Sequence, residues 1–599
     1  MSRSLYARLH RRFGPALADS ERCDRIEEKL GLERTKWQVP SLSQSCMSLL
    51  SDTTVAVIGG GFAGLSAARL LCSRRVMVTV FEAGGEVGGR VRIETKLAKD
   101  RVIEAGAELI GANHTRWIDL AKEFSLGLTV RSTEDHYSRA GLELKIRIDK
   151  LLSRDEMEKL YDRIEEVLKL IGKDARLVKD PVRPWLQPDL QKMDKMSVAD
   201  KLVELKIKKG SRLWKAMEVF LGNDHVASLD DQNYLALLCL VKAGQFVNDR
   251  DDPDLMGYWR ETEVFRCADG NQMLAIGMAK ALEDSKRCRI RRNTIVIDLD
   301  IEKRVTLKWK SRTKGKLEKD LFDYVVLAIP PSVWGSLTIT PKHPKDTIGM
   351  IQMGHAVKYL SKVSDRFWIR DHAAPSGAST KMGQVWEATD NQTRLGEQGI
   401  VLTVFAGGRI PTKAEFQSGL KELYPKYKEK LERTQLVNWP DESFIKTGYS
   451  CPKKGQVFTI AKELTEPYLG RLFFAGEHTA MDFFGYMEGA LRSGDRAANA
   501  VIARVCSQES APLVASLASA AMAGTGGRHF RERAAFEREI DTVLGSSALR
   551  ESSLEHIRER EYEDSTKPDR AITALKSTPD PEVVELEQCL CIIEDKVGA

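Results

Sequence analysis

The sequence of 599 residues predicts an α/β fold of two interleaved domains, one built on a parallel sheet and one mixed α+β with a helical insertion. Three observations carry this. Val55-Ala56-Val57-Ile58 is a run of small and β-branched apolar residues, as in a buried parallel strand. Gly59-Gly60-Gly61-Phe62-Ala63-Gly64 follows at once and opens a helical pattern through Leu65, Ala67, Ala68, Leu70 and Leu71. A second strand-like run, 76–81, ends at Glu82, an acid about twenty residues beyond the glycines. Together these are the parts of a Rossmann-type GxGxxG unit.

Each part has a physical role. Gly59 allows the tight strand-to-helix turn, Gly61 leaves room for a pyrophosphate, and Gly64 lets the helix pack close to the strand. The backbone of Phe62 and Ala63 opens the helix, whose N-terminus offers free N–H groups and a positive dipole end to phosphates. Glu82 can accept hydrogen bonds from both ribose hydroxyls and would repel a 2′-phosphate. A second glycine cluster follows, Gly84-Gly85-Glu86-Val87-Gly88-Gly89-Arg90. An extended FAD needs such a loop to reach its pyrophosphate from the other side, with Gly89 close to it and Arg90 as counter-charge. This stretch resembles the flavin-containing amine oxidase family, which includes monoamine oxidases, polyamine oxidases and L-amino-acid oxidases.

Composition is compatible with that reading. Apolar content of 42% and charged content of 30% are those of a globular chain. A net charge of +6 is small for this length and argues against nucleic acid as a partner. The ten cysteines form no CxxC pair and no metal-ligand spacing, so no metal is expected and a reduced, cytoplasmic protein is favoured. The basic start, MSRSLYARLHRRFG, is followed by no apolar core of a secretory signal. No apolar run reaches the roughly 18 residues of a transmembrane helix.

Taken in order, residues 1–52 form an extension to which no chemistry is assigned, with a turn or two of helix over 19–32 and a Ser-rich linker over 41–51. Residues 53–116 form the first part of the nucleotide domain. Its end, Val102-Ile103-Glu104-Ala105-Gly106-Ala107-Glu108-Leu109, resembles the family strand whose small residues pass beside the flavin. The resemblance implies cofactor contacts from Gly106, Ala107, Glu108 and Leu109. Amino-acid oxidases of the family carry an arginine shortly after that glycine to clamp the substrate carboxylate. Leu109 stands there instead, which favours a simple amine.

Residues 117–260 are mostly helical in pattern, with apolar positions at helical spacing over 154–171, 198–205, 213–221 and 233–241, and resemble the region that roofs the family's substrate cavity. Residues 261–335 return to the nucleotide domain. A turn at Cys267-Ala268-Asp269-Gly270-Asn271 precedes a helix. Runs at 290–299 and 303–309 read as paired strands, with Ile295 where the family contacts adenine. Asp323-Tyr324-Val325-Val326-Leu327-Ala328-Ile329-Pro330-Pro331 is a buried strand stopped by prolines.

Residues 336–438 are the second substrate part. Gly354-His355-Ala356-Val357-Lys358-Tyr359-Leu360, followed by Phe367-Trp368, resembles the segment bearing a lysine near the flavin, so Lys358 is expected to reach flavin N5 through a water. A strand at 401–405 and a charged helical region over 412–430 follow.

Residues 439–505 complete the nucleotide domain. Gly448-Tyr449-Ser450 resembles the turn back towards the flavin ring. Gly448 stands where monoamine oxidases bind FAD through a cysteine, so the FAD is expected to be non-covalent. Leu472-Phe473-Phe474-Ala475-Gly476-Glu477-His478 is the last strand. Phe483-Phe484-Gly485-Tyr486-Met487-Glu488 leads into a helix whose dipole would face the flavin. The resemblance implies cofactor contacts from Gly476, Glu477, Tyr486 and Met487, and makes Tyr449 and Tyr486 the aromatic pair around the amine. His478 is read as structural. Residues 506–599 form a C-terminal extension with a helix-compatible stretch over 528–562, a linker over 565–581 and a short helix over 583–597.

The resemblance implies oxidation of a primary or secondary amine to an imine, with Lys358, Tyr449 and Tyr486 at the reacting centre, FAD as cofactor and O2 reduced to H2O2. An L-amino-acid oxidase or monooxygenase, or a desaturase of the same superfamily, is the alternative. A homo-oligomer is compatible with the sequence.

Overall fold

A parallel five-stranded sheet organises the first unit of the chain. Its order is Leu472–Phe474, Tyr324–Leu327, Thr54–Ile58, Met77–Phe81, Cys288–Arg291, every neighbour parallel. The apolar runs of the sequence thus become central strands buried on both faces. Asp323 sets the register at one end, its carboxylate accepting from the backbone N–H and the hydroxyl of Thr54 at 2.8 and 2.7 Å. The computed structural model describes residues 4–14, 25–31, 33, 42–99, 101–130, 134–246, 256–341, 350–392 and 399–523. The chain divides into a unit of residues 1–503 and a second from 504 onward. The stretches expected over 528–562, 565–581 and 583–597 lie outside the described residues.

The helix Phe62–Ser73 leaves the first strand through the glycine turn. At Gly64 an added Cβ would lie 1.9 Å from the Gly59 carbonyl oxygen, which is the close helix–strand approach the motif requires. A four-stranded sheet, Leu317–Phe322, Val305–Ser311, Thr294–Ile301 and Thr338–Thr340, shares an apolar core with one face of the parallel sheet. A six-stranded sheet forms the substrate half: Leu431–Asn438, Ala356–Val363, Ile400–Gly407, Gly383–Glu387, Ala373–Ser379 and Glu143–Arg147. The helices Arg154–Ala175, Val198–Glu204, Arg212–Met217 and Tyr234–Ala243 pack in one large apolar cluster beside it. Their starts carry the side chains that satisfy free N–H groups: Ser153 and Ser197 in capping boxes, and Ser211 and Asn233 as caps.

Several expectations need correction. The run at 290–299 is not one strand. It breaks at Asn293, whose φ is 54°, so Cys288–Arg291 joins the parallel sheet while Thr294–Ile301 joins the other. The region 117–260 is mostly helical, but it also carries two strands that were not anticipated, Leu128–Val130 and Glu143–Arg147. The second completes a sheet whose other members lie more than 200 residues away, and Ala373–Ser379 and Gly383–Glu387 were likewise not anticipated.

The Ser-rich linker is largely the helix Gln44–Asp52, started by Ser43, whose hydroxyl accepts from the Cys46 N–H. The basic start is also a helix, Leu5–Phe13, capped by Ser4. Leu5, Tyr6 and Leu9 are buried in the roof core, and Arg12 forms a buried pair with Glu134 at 3.0 Å. The expectation of wholly reduced cysteines also changes. Cys72, Cys239, Cys267, Cys288 and Cys451 are free, but Cys46 is in a disulfide, since bridging depends on approach in space rather than on sequence spacing. Among the described residues no helix is long and apolar enough to cross a membrane, and no cluster of His, Cys, Asp and Glu suits a metal.

Candidate active site

One cavity of about 480 Å³ runs from the glycine turn to the helical roof. The structure brings to its wall Gly59, Gly61, Phe62, Ala63, Glu82, Gly89, Arg90, Gly106, Ala107, Glu108, Leu109, Ile295, Lys358, Tyr449, Gly476, Glu477, Tyr486 and Met487. Of the residues singled out in the sequence only Gly64 stands away, behind the turn it shapes.

The nucleotide end is made of backbone. The two glycine clusters meet: the N–H of Gly88 donates to the Gly60 carbonyl at 2.9 Å, and Gly61 bridges Gly88 as in a parallel ladder. A Cβ on Gly61 would touch nothing closer than the Gly88 oxygen at 3.9 Å, so this cradle is open toward the cavity, as a bound pyrophosphate requires. Glu82 ties the loops together, accepting from Gly60 N–H at 2.7 Å and Gly84 N–H at 2.6 Å. Each carboxylate oxygen has a second lone pair left for a ribose hydroxyl. Burial raises the Glu82 carboxyl, and these N–H groups work against that rise.

Glu477 is the knot of the middle section. One oxygen accepts from Arg90 Nη1 at 2.7 Å. The other accepts from the Ser450 hydroxyl and the Gly485 N–H, both at 2.6 Å. Burial would raise its carboxyl, but the Arg90 guanidinium and the Ser450 hydroxyl hold it below the ordinary carboxylate range. Glu477 therefore fixes three loops at once: the second glycine cluster, the turn of Tyr449 and the turn of Tyr486. Gly448 has no room for a side chain, since a Cβ there would lie 2.6 Å from Ala356 Cβ. His478 is fully buried, and burial lowers its imidazole to about 3, so it is neutral.

Lys358 extends from the strand Ala356–Val363 and is 5% exposed. It donates to Glu108 Oε2 at 2.8 Å and to the Glu104 carbonyl at 2.9 Å. Glu108 also accepts from Trp386 Nε1 at 3.2 Å. Sequence reading found the lysine but not this pairing. Nor did it find Asn271, whose side chain donates to the Glu108 carbonyl at 3.0 Å and whose N–H donates to Glu104 Oε1 at 2.7 Å. Asn271 occupies the turn singled out before the helix Gln272–Asp284, and its work is to brace the Gly106–Leu109 segment.

Tyr449 donates to the Asp224 backbone carbonyl at 2.7 Å, and Tyr486 exchanges a hydrogen bond with Tyr258 at 2.9 Å. Burial drives both Tyr449 and Tyr486 phenols well above their ordinary value, so both rings stay neutral at any working pH. The His114 ring lies 5.2 Å from that of Tyr486, and burial lowers it to about 3. Asp224, His225, Glu263, Trp386 and Phe484 also face the cavity and carry no motif by which sequence could find them.

A dinucleotide cradle joined in one cavity to a tyrosine-lined pocket defines a flavoprotein oxidoreductase. Comparison with known proteins makes this specific. Residues 62–502 match the model of the flavin containing amine oxidoreductases, and the chain belongs to that family. It is 24% identical over 481 residues to amine oxidase [flavin-containing] A of Bos taurus, covering 75% of this chain and 84% of that one. It is 26% identical over 492 residues to an amine oxidase [flavin-containing] of Danio rerio, covering 75% and 85%. Its fold is shared with a putrescine oxidase (TM-score 0.62, 19% identity, 75% and 99% covered) and with cyclohexylamine oxidase from Brevibacterium oxydans (TM-score 0.62, 19% identity, 76% and 99% covered). Its cofactor is FAD, and its reaction is the oxidation of an amine.

Proposed function

We propose that the chain oxidises a primary or secondary amine to an imine, using non-covalently held FAD and passing the electrons to O2 to give H2O2. The observation that carries this is the convergence of both glycine clusters, Lys358, Tyr449 and Tyr486 on one cavity. Bound FAD supplies the acceptor for the hydride equivalent lost from the amine α-carbon, and then the two electrons that reduce O2. The residues do the rest. Gly59, Gly61 and Gly89 with Arg90 hold the pyrophosphate, Glu82 the ribose, and the Gly106–Leu109 backbone the ring system. Tyr449 and Tyr486 hold the substrate nitrogen between neutral rings and exclude water around it. Lys358 supplies a fixed positive charge beside the reacting edge, where reduced oxygen develops negative charge. No general base is needed, because a neutral amine already carries its electron pair, and the buried histidines are correspondingly neutral.

The crowding at Gly448 supports non-covalent attachment. Leu109 on the cavity wall, with Arg90 and Lys358 each committed to a carboxylate, supports an amine over an amino acid. The test is an anaerobic titration of the yellow holoenzyme with a panel of amines and L-amino acids, followed by admission of O2. Amines are expected to bleach the flavin, with one H2O2 formed per imine. Bleaching by amino acids alone would overturn the reading. Denaturation should release all the FAD into the filtrate.

A further inference from the structure

The helix Leu5–Phe13 lies outside residues 62–502, the part of the chain that matches the family model, and it takes no part in the chemistry proposed for the cavity. Its apolar side chains explain how it is held. Tyr6 stacks on Phe220 with ring centres 6.2 Å apart. Phe220 belongs to the π-helical turn Glu218–Gly222, which leads to Asp224 on the cavity wall. The Tyr6 hydroxyl donates to Glu165 Oε1 at 3.1 Å.

Arg8 on the same helix is only 3% exposed. A guanidinium this deep is rare and needs partners. Its Nη1 donates to the Gly377 carbonyl at 2.6 Å and to the Val385 carbonyl at 2.8 Å. These two residues face each other across the strands Ala373–Ser379 and Gly383–Glu387. The guanidinium carbon also lies 6.0 Å from the Trp386 ring centre, within reach of its face. Burial lowers the guanidinium from its ordinary value. Glu134 opposes this first, followed by Tyr424 and by Asp224 and Glu263 of the cavity wall.

Strand alternation gives this contact its consequence. Gln384 and Trp386 point to one face and line the cavity, while Val385 between them packs into the core on the other. Gln384 Nε2 donates to Asp224 Oδ1 at 2.8 Å, and the Asp224 carbonyl accepts from the Tyr449 hydroxyl at 2.7 Å. Trp386 Nε1 donates to Glu108, the partner of Lys358. Pinning the Val385 carbonyl therefore fixes both wall residues, and through them Tyr449 and Lys358. Without the guanidinium two buried carbonyls lose a donor, and the strand can shift.

We propose that Arg8 is a positioning residue for amine oxidation: the helix Leu5–Phe13 is part of the active-site wall, and its guanidinium holds Gln384 and Trp386 in place around the amine. This rests on Tyr449 and Tyr486 being the site of the oxidised nitrogen.

The test uses full-length, FAD-loaded protein, with concentrations set by bound flavin so that lost folding does not enter the constants. In Arg8→Met, KM for the best amine is expected to rise about tenfold, the worth of one charged hydrogen bond, while kcat changes little. Arg8→Gln keeps a donor without the charge and carries the comparison should Arg8→Met yield no holoprotein; its KM is expected to rise about threefold. Arg8→Lys restores the charge and is expected to recover most of the loss. A readout independent of turnover is the Kd of a quaternary alkylammonium ion, which cannot be oxidised, read from the flavin absorbance. It is expected to weaken by the same factor as KM. Tyr6→Phe keeps the stacked ring and removes only the bond to Glu165. It is expected to lower the melting temperature and leave both constants unchanged.

KM and Kd that stay at the parent values in Arg8→Met and Arg8→Gln, or that shift as far in Tyr6→Phe, overturn the positioning role while amine oxidation stands. A parent holoenzyme whose flavin no amine bleaches overturns the reading of the site on which it rests.

Discussion

The nucleotide end of the cavity is built of backbone, and the substrate end of side chains. At the first end the groups that meet the ligand are N–H donors and gaps left by glycines, held by two short loops that follow consecutive strands. At the second, Lys358, Trp386, Tyr449, Tyr486, Asp224 and Glu263 arrive from six separate stretches of chain, and Lys358, Trp386 and Tyr486 are braced by residues from yet others. A backbone site tolerates changes except where a Cβ intrudes. A side-chain site instead carries buried charges and hydrogen bonds that become costly when one partner goes.

The sharpest way to break this contrast is Lys358→Met. Loss of the ammonium breaks a buried ion pair and leaves Glu108 with Trp386 Nε1 and the more distant Arg266 guanidinium beside it, and is expected to cost about 3 kcal/mol in denaturant unfolding. The double variant Lys358→Met/Glu108→Gln should recover much of that. A single and double variant equally destabilised would show that the pair is not the cause.

On the backbone side Gly64→Ala is the severe change. Its Cβ meets the Gly59 carbonyl at 1.9 Å, so the helix must move off the strand, at a cost of about 3 kcal/mol. A melting temperature within two or three degrees of the parent would contradict the packing described.

Glu104 gives a pH signature to the substrate end. Burial raises its carboxyl to about 7. The folded state therefore holds a proton that the unfolded chain, at about 4.5, has already lost. The stability this provides is full below pH 4.5 and lost as pH rises through 7, a change of about 3 kcal/mol at most. Glu104→Gln keeps the acceptor for Asn271 and should flatten that dependence, gaining stability over the parent at pH 8. Unfolding curves at pH 5 and pH 8 that shift alike in both proteins would rule it out.

A finer test separates cofactor binding from folding at the nucleotide end. Gly61 has φ −80° and open space where its Cβ would be. Gly61→Ala should therefore leave the apoprotein within about 0.5 kcal/mol of the parent. FAD affinity should fall at least tenfold, about 1.4 kcal/mol. Smallest of all, Tyr486→Phe removes one hydrogen bond to Tyr258 and should cost about 1 kcal/mol in stability. Its kcat/KM for amines should change only a few-fold, because the proposed role of Tyr486 uses the ring, while its hydroxyl is engaged with Tyr258.

Much of the nucleotide end could be read from the chain alone. A strand, a glycine turn, a helix and an acid act within about thirty residues, and their geometry follows from local rules. Even there, the role of Glu477 as a three-loop knot was invisible, since its partners lie at positions 90, 450 and 485. At the substrate end the motifs around Lys358, Tyr449 and Tyr486 were legible through family likeness, but Asp224, Glu263 and the Lys358–Glu108 pair were not. The helix Leu5–Phe13 shows the same limit. Its basic residues suggested an unassigned extension, yet Tyr6 packs on Tyr161 and Phe220, and Arg8 donates to the Gly377 and Val385 carbonyls of the substrate sheet.

By itself, then, the sequence determined the parallel nucleotide-binding unit, the order in which the chain returns to it, and the class of cofactor. These depend on spacing and on residues without side chains. Tertiary structure alone decided which charges meet at the substrate end. Pairing between buried acids and bases depends on distances in space that no local pattern encodes.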